Sequence, residues 1–315
     1  QSGVASPAFV AKLKASIAND DIKYHAGPMN MQQEAGEIKH MTFGMEISKQ
    51  LDKQFGKKTK ITASQKDCPG VSLGMLDMFD DVGVKLLHIG VNDFSTAPAW
   101  PSLSASYHGY CNPGILASNA TASEIMLLFC SGYSGPFELG LQLPNMMTLI
   151  PGFDEALVYL MHVDNRGPQT ADEAVAGWMA TQRIFPNAKL ESTSMDAWFE
   201  AYTNRNQAPE NALPIIKDIE MGDTWIYGLP SDPTKMRQYR VITREVTNQI
   251  EAGTIDQSDP NFINFYYTLL KIAEHTWGYN GAGCVSNWSN EEWLDPKFTC
   301  HFGGPQFISA ANSYY

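Results

Sequence analysis

The stretch KITASQKDCPGVSLGMLDMFDDVGVKLLHIGV, residues 60–91, predicts the fold of this chain more clearly than any other segment. It begins with KITAS (60–64), which has the composition of a strand, and a helical pattern follows that ends near Gly83. The apolar run VKLLHIGV (84–91) then predicts a strand that is covered on both faces. A strand, a helix and a buried strand in this order are typical of a parallel sheet.

The same alternation extends in both directions along the chain. Before it, DIKYH (21–25) predicts a strand, and the helix after that strand ends at Gly56. After it, residues 105–130 predict a hairpin-like insertion that contains the apolar strand EIMLLFC (124–130). The C-terminal half predicts helices over 153–162, at 171–185, from Met195 and at 231–253, and strands near 189–192 and at 213–220.

Strands that alternate with helices predict an α/β fold whose parallel sheet is either open or closed into a barrel. In both cases ligands bind beyond the carboxyl ends of the strands. Polar residues follow four of the predicted strands: His25, Asp67, Asn92 and Asp223. We therefore expect a binding site at this end of the sheet.

Charge and hydropathy restrict the class of partner. The 315 residues carry a formal net charge of −12, which disfavours nucleic acid and anionic membrane surfaces because both are negatively charged. No apolar run reaches the length that a membrane-spanning helix needs, so we expect no membrane insertion. A neutral, sugar-like ligand fits this composition.

The cysteines and two glycosylation sequons predict a secreted or extracellular protein, or one in the lumen of the secretory pathway. The five cysteines show no metal-binding spacing, which favours disulfides. We expect the pairs Cys111–Cys130 and Cys284–Cys300, with Cys68 left over as a candidate link to another chain segment. The sequons predict sugars on Asn119 or Asn287.

The segment EMGDTWIYGLPSDPTKMRQYR (220–240) places an acid beside an aromatic ring, Asp223 and Trp225, before a helix. An aromatic face packs on the C–H groups of a sugar, while a carboxylate binds hydroxyls or transfers protons. The structural alternative is that Trp225 packs in the core and that Asp223 only caps a turn.

Six segments, taken in order, resemble one known family: YHAGPMNMQQE (24–34), QKDCPGVS (65–72), LLHIGVN (86–92), DNRGP (164–168), GDTWIYGLPSDPTK (222–235) and LLKIAEHTWG (269–278). They resemble the domain of unknown function 5054 family, which is similar to the catalytic domain of glycoside hydrolase family 38, the α-mannosidases. The resemblance implies a (β/α)7-type barrel-like domain over 1–280, incomplete at its N-terminus. Residues 281–315 would then form a disulfide-stapled extension.

The resemblance also implies roles for individual residues. Glu34, Asp67 and Asp223 match segments that carry the catalytic carboxylates, although Glu34 and Asp67 also suit a helix start and a turn. The substrate-binding candidates are His25, Asn92, Asp164, Trp225, His275 and Trp277. Zinc in such a family is bound by carboxylates and histidines, but Gly222 stands at one histidine position and no His-x-Asp pair precedes Tyr24. The metal ligands therefore stay unassigned.

Two functions follow. The first is a glycoside hydrolase of the α-mannosidase type that acts on extracellular or cell-wall glycans. The second is an inactive relative that binds glycans or has a structural role in an extracellular assembly. Because a barrel needs every strand, we also expect the gap before DIKYH to be filled by another segment of the same precursor or by a neighbouring subunit.

Overall fold

The structure is a computed structural model, and it describes residues 6–68, 70–90, 111–130, 147–160, 169–205, 213–222, 224, 226, 229 and 233–275. It is a mixed α/β fold with a curled half-barrel sheet of seven strands. Seven α-helices lie within this described part of the chain. The predicted α/β class is therefore confirmed, and no helix among the described residues is long and apolar enough to cross a membrane.

The elements follow one another in a mixed order. The helices are α1 (Pro7–Ala18), α2 (Ile38–Phe55), α3 (Gly74–Asp81), α4 (Ala171–Ile184), α5 (Met195–Arg205), α6 (Pro233–Glu251) and α7 (Pro260–Leu270). The strands are β1 (Thr62–Lys66), β2 (Leu86–Gly90), β3 (Cys111–Ala117), β4 (Glu124–Cys130), β5 (Met147–Thr148), β6 (Leu157–Val158) and β7 (Ile215–Lys217). Short 3₁₀ helices occur at Gln33–Ala35 and Lys271–Ala273.

The sheet is built on the parallel strands that the sequence predicts. Its strand order is β1-β2-β4-β3-β5-β6, with β7 also paired to β3. The strands β1, β2 and β4 run parallel, and β3 runs antiparallel to β4. The predicted hairpin is confirmed, but it is part of the main sheet because β4 pairs directly with β2.

Apolar side chains cover the sheet on the face to which Leu86 and Leu128 point. They pack against Trp198 of α5 and against Leu157 of β6. Helix α3 contacts β4 and buries its own apolar residues, Met75, Leu76, Met78 and Phe79. This double cover explains why β2 and β4 consist almost wholly of apolar residues.

Three sequence predictions differ from the structure. Residues 21–25 are not a strand, although the next residue, Ala26, donates its N–H to Thr62 O at the edge of β1 (2.8 Å). The helix predicted over 153–162 is wrong, because Gly152 adopts a left-handed turn (φ 79°) and Leu157–Val158 pairs with β5. The segment 189–192 is irregular, and the strand predicted at 60–64 begins two residues later than expected, at Thr62.

The chain divides into two compact units, the first comprising 1–34 and 41–225 and the second 35–40 and 226–315. In the second unit His40 is enclosed by two tyrosines. Its Nδ1 lies 2.9 Å from Tyr239 Oη, its Nε2 lies 2.9 Å from Tyr266 O, and burial lowers its pKa to about 4. His40 is therefore a neutral residue of a packed core.

A buried ion pair fixes the beginning of β1 in the first unit. Asp52 of α2 accepts hydrogen bonds from Lys60 Nζ (2.9 Å) and from Tyr24 Oη (2.8 Å). The side chain of Asp52 is only 4% exposed and that of Lys60 12%. Breaking a pair of this kind leaves a buried charge without its partner, which is costly.

We expect Asp52→Ala to lower the free energy of unfolding by about 3–5 kcal/mol, because Lys60 would stay buried without its carboxylate. Denaturant unfolding measures the change. The control is Asp80→Ala, which breaks the half-exposed Lys85–Asp80 pair and should cost less than about 1 kcal/mol. Equal effects of the two substitutions would contradict the buried position of Asp52.

Candidate functional site

The loop from His25 to Glu34 lies along the carboxyl end of β1. Asn30 Oδ1 accepts a hydrogen bond from Lys66 N (2.9 Å), and Met31 exchanges two hydrogen bonds with the Gln65 side chain (3.1 and 2.7 Å). These bonds hold the loop in place with backbone and buried side-chain partners. His25 lies beside Ser64 in the middle of β1, and Glu34 follows the part of the loop that is bound to Gln65 and Lys66.

His25 is held as a neutral hydrogen-bond donor. Its Nδ1 accepts hydrogen bonds from Gly27 N (3.0 Å) and Ser64 N (3.4 Å), so the ring proton is on Nε2. Burial, assisted by the charge of Lys66, lowers the pKa of His25 to about 4. A side chain on Gly27 would lie 3.1 Å from the imidazole ring, which explains the glycine at this position.

A row of hydrogen bonds crosses the sheet from β1 to β4. Ser64 lies opposite His88 in the β1–β2 register, and Ser64 Oγ is 2.9 Å from His88 Nδ1. His88 Nε2 is 3.1 Å from the sulfur of Cys130, which forms the predicted disulfide with Cys111. Because a disulfide sulfur has no proton to donate, His88 Nε2 carries the proton and Ser64 donates to Nδ1.

Lys66 and Tyr159 extend this polar face toward the end of β1. Lys66 Nζ lies 5.4 Å from the centre of the Tyr159 ring, and that ring packs at a tilt of 31° against His88, with the ring centres 4.4 Å apart. Burial lowers the pKa of Lys66 to about 8 and raises the pKa of Tyr159. The interaction of Tyr159 with the Thr148 side chain partly offsets the rise in the tyrosine pKa. The Tyr159 and Thr148 hydroxyls are buried, and neither has a hydrogen-bond partner of normal geometry in the described part of the chain.

Two carboxylates meet at the start of α3. Glu34 Oε1 accepts a hydrogen bond from Ser72 N (2.7 Å), and Glu220 Oε2 accepts one from Leu73 N (2.8 Å). Burial raises the pKa of Glu34, and the charge of Glu220 acts in the same direction. An isolated bridge between Val71 and Met221 holds the two chain segments together.

Asp67 directly follows β1, at the strand end where the sequence predicts the site. Its backbone N–H donates to Gly90 O (2.9 Å), which continues the pairing of β1 with β2 by one residue. Its φ angle of 67° is left-handed, a conformation that aspartate tolerates better than most residues.

The other predicted residues belong to the second unit, to the β3–β4 turn, to the segment that follows β1 or to parts of the chain that the structure does not describe. His275 follows α7 in the second unit, where its Nδ1 is 2.7 Å from Glu274 Oε1. Asn119 is exposed in the turn between β3 and β4, where its side-chain Nδ2 donates a hydrogen bond to Asp218, and Cys68 is buried. The remaining predicted residues lie outside the described part of the chain: Asn92, Asp164, Asp223, Trp225, Trp277, Cys284, Asn287 and Cys300.

The described residues do not form the carboxylate–histidine zinc site that the family resemblance implies. His25 Nδ1 is occupied by two N–H donors, and Glu34 accepts from a backbone amide. Within the described residues, the group of metal-ligand type consists instead of His88, Cys111 and Cys130, whose ligand atoms lie within 4.8 Å of one another. Cys111 and Cys130 are joined in a disulfide, so this group offers thiolate ligands to a metal ion only when that bond is reduced.

The sequence analysis missed Lys66, Tyr159 and Glu220. For Lys66 a signal exists, since Thr62, Ser64 and Lys66 place polar side chains at every second position of a short buried strand, and therefore on one face. For Tyr159 and Glu220 no local signal exists, because each reaches the site through long-range pairing.

No protein-family model matches the chain, and no curated protein matches it. The resemblance to the domain of unknown function 5054 family therefore stays a prediction.

We expect Lys66→Met to stabilise the protein at pH 7. The pKa of Lys66 is lower in the fold than its ordinary value of 10.5, so the fold disfavours the charged amine. The lowering to about 8 corresponds to about 3 kcal/mol at roughly 1.4 kcal/mol per pH unit. This cost is present below pH 8 and fades as the pH rises to 10.5, because the unfolded chain then loses its proton as well.

Denaturant unfolding between pH 7 and pH 10.5 measures this difference. The control is Lys53→Met, which replaces an exposed lysine of α2 and should show no such pH dependence. A Lys66→Met variant that is less stable than the wild type at pH 7 would contradict the buried, destabilising amine.

Proposed function

We propose that the protein is a glycoside hydrolase of the α-mannosidase type, acting on extracellular or cell-wall glycans at the carboxyl ends of β1, β2 and β4. The observation that carries the proposal is the half-buried Glu34 carboxyl, whose pKa is raised by burial and by the charge of Glu220. Glycosidases need one carboxyl group that stays protonated near neutral pH, and a raised pKa suits Glu34 to this role. The ionised carboxylate that they also need is a separate residue, and Glu220 acts in this proposal only through its effect on the pKa of Glu34.

Glu34 is the general acid in this proposal. Its burial disfavours the charged form, and the negative charge of Glu220 disfavours it further, so the group keeps its proton above the usual pH range of a glutamate. A protonated carboxyl at this position donates to the oxygen of the leaving group as the glycosidic bond breaks.

The ionised partner comes from the strand ends. Asp67 follows β1 directly, and Asp223 comes three residues after Glu220 in the sequence. Either carboxylate is suited to attack or to stabilise the anomeric carbon. We assign Asp67 and Asp223 to this role together, as the resemblance to family 38 implies.

The remaining polar groups suit a sugar ligand. His25 offers an Nε2–H donor beside Ser64 of β1, and Lys66 offers an amine at the end of the same strand, close enough for its charge to act on His25. Hydroxyl groups of a sugar accept hydrogen bonds from such donors, while apolar ring faces pack on their C–H sides. The predicted aromatic contacts are Trp225 and Trp277.

Two wider inferences accompany this proposal. We infer that the curled sheet belongs to a (β/α)7-type barrel whose remaining strands come from other segments, and that the protein is secreted. The Cys111–Cys130 disulfide supports secretion, because such bonds persist in oxidising compartments. The proposed mechanism uses no zinc ion, because the described carboxylates and histidines do not form the zinc site that the resemblance implies.

A second candidate is a glycan-binding protein without catalysis. It is favoured by the hydrogen bond from Ser72 N to Glu34, because capping the start of α3 is by itself a sufficient reason for a carboxylate at this position. Binding of mannose-containing oligosaccharides without turnover would support this candidate.

We expect Glu34→Gln to reduce the hydrolysis of alkyl α-mannosides by about 100- to 10,000-fold, because the amide cannot donate the proton. For aryl mannosides with good leaving groups the loss should be smaller, since departure then needs less protonation. Wild-type activity should persist above pH 4.5, the ordinary pKa of a glutamate, and should fall as Glu34 ionises.

The matched control is Glu220→Gln, which alters the other carboxylate at the start of α3. It should retain activity while the alkaline limb of its pH profile moves to lower pH, because a charge that raises the pKa of Glu34 is gone. Equal activity of wild type and Glu34→Gln on every substrate would show that Glu34 is only a helix cap.

A further inference from the structure

A buried group of metal-ligand side chains lies within the sheet, outside the residues to which the proposed hydrolase chemistry is assigned. His88, Cys111 and Cys130 are buried side chains whose ligand atoms lie within 4.8 Å of one another, with His88 Nε2 3.1 Å from the Cys130 sulfur. We propose that reduction of the Cys111–Cys130 disulfide converts this group into a binding site for a thiophilic ion of the Zn²⁺ class.

The sheet register supplies the three ligands. Cys111 of β3 lies directly opposite Cys130 of β4, and Cys130 pairs with Gly90, two residues after His88 on β2. Thiolate and imidazole are the ligands that Zn²⁺ prefers, at about 2.3 and 2.0–2.1 Å. Tetrahedral binding at these lengths separates sulfur from nitrogen by about 3.5 Å, so His88 needs little movement.

Ser64 is placed to orient the histidine ligand. Ser64 Oγ lies 2.9 Å from His88 Nδ1. When Nε2 binds the metal, Nδ1 carries the ring proton and donates it to the hydroxyl, which accepts as readily as it donates. Ligating histidines are commonly held by such an outer hydrogen bond.

Two buried hydroxyls indicate what completes the site. Thr148 lies opposite Cys111 in the β3–β5 pairing, and the Tyr159 ring packs against His88 with the ring centres 4.4 Å apart. The two hydroxyls interact with each other, but neither makes a hydrogen bond of normal geometry within the described residues. A water molecule in the fourth position of the metal would give both hydroxyls a partner of normal geometry.

Reduction of the Cys111–Cys130 disulfide transfers two electrons and two protons to the protein. An external dithiol reduces the disulfide and is itself oxidised to a disulfide, which leaves two thiols on the protein. The metal then replaces the two thiol protons, which pass to the solvent. The oxidised protein has no thiolate in this group and should not bind the ion there.

The experiment uses the full chain, reduced with dithiothreitol and freed of reagent without oxygen. Titration with Co²⁺, read by its visible absorption, and competition with Zn²⁺ measure binding. Cys68, Cys284 and Cys300 are replaced by serine in all proteins, so that the signal comes from this group alone. We expect one ion per reduced chain and none per oxidised chain.

Two variants test the assignment. Ser64→Ala should weaken binding by about 10- to 100-fold without changing the stoichiometry, as expected for an outer partner of a ligand. His88→Gln should remove the tetrahedral spectrum. The proposal is overturned if the reduced chain binds no ion, whether or not circular dichroism shows that it is folded. It is also overturned if both variants bind the ion as tightly as their parent.

Discussion

The parallel pairing of β1 with β2, in which Ser64 lies opposite His88, is the constraint on which the rest of the candidate site depends. Side chains alternate between the two faces of a strand, so a slip of one residue would move Ser64 and Lys66 away from His88 and Tyr159. The loop that carries Glu34 depends on the same register, because it is bound to the backbone of Lys66 and to the side chain of Gln65.

Burial then determines the chemical form of the polar groups on this face. It lowers the pKa values of His25 and Lys66 and raises that of Glu34, in each case because water is excluded from the charged form. Near neutral pH both His25 and His88 are uncharged hydrogen-bonding groups, and Glu34 has an increased tendency to hold its proton. The same exclusion of water thus favours both the proposed acid catalysis and metal binding by uncharged imidazole.

Local pattern predicted the elements of the sheet but not the composition of the site. The strands β2 and β4 were predictable because continuous apolar runs have few alternatives, and the disulfide because Cys111 and Cys130 flank a hairpin pattern. The helix predicted over 153–162 is wrong because the turn at Gly152 separates two short strands, and their pairing is not visible in the local sequence. Tyr159 reaches His88 only through that pairing, so nothing in its neighbourhood predicted it.

The bond between Cys111 and Cys130 also makes the β3–β4 hairpin a closed covalent ring. The bond joins the two strands at the end opposite their turn, and its cysteines are 19 positions apart in the chain. If a protease cut the exposed turn around Asn119, the two halves would stay linked. When the chain is stretched, the disulfide would keep about 65 Å of contour length from extending, at roughly 3.4 Å per residue. The stretching force would then be carried by the disulfide, and the hairpin would not unfold under it.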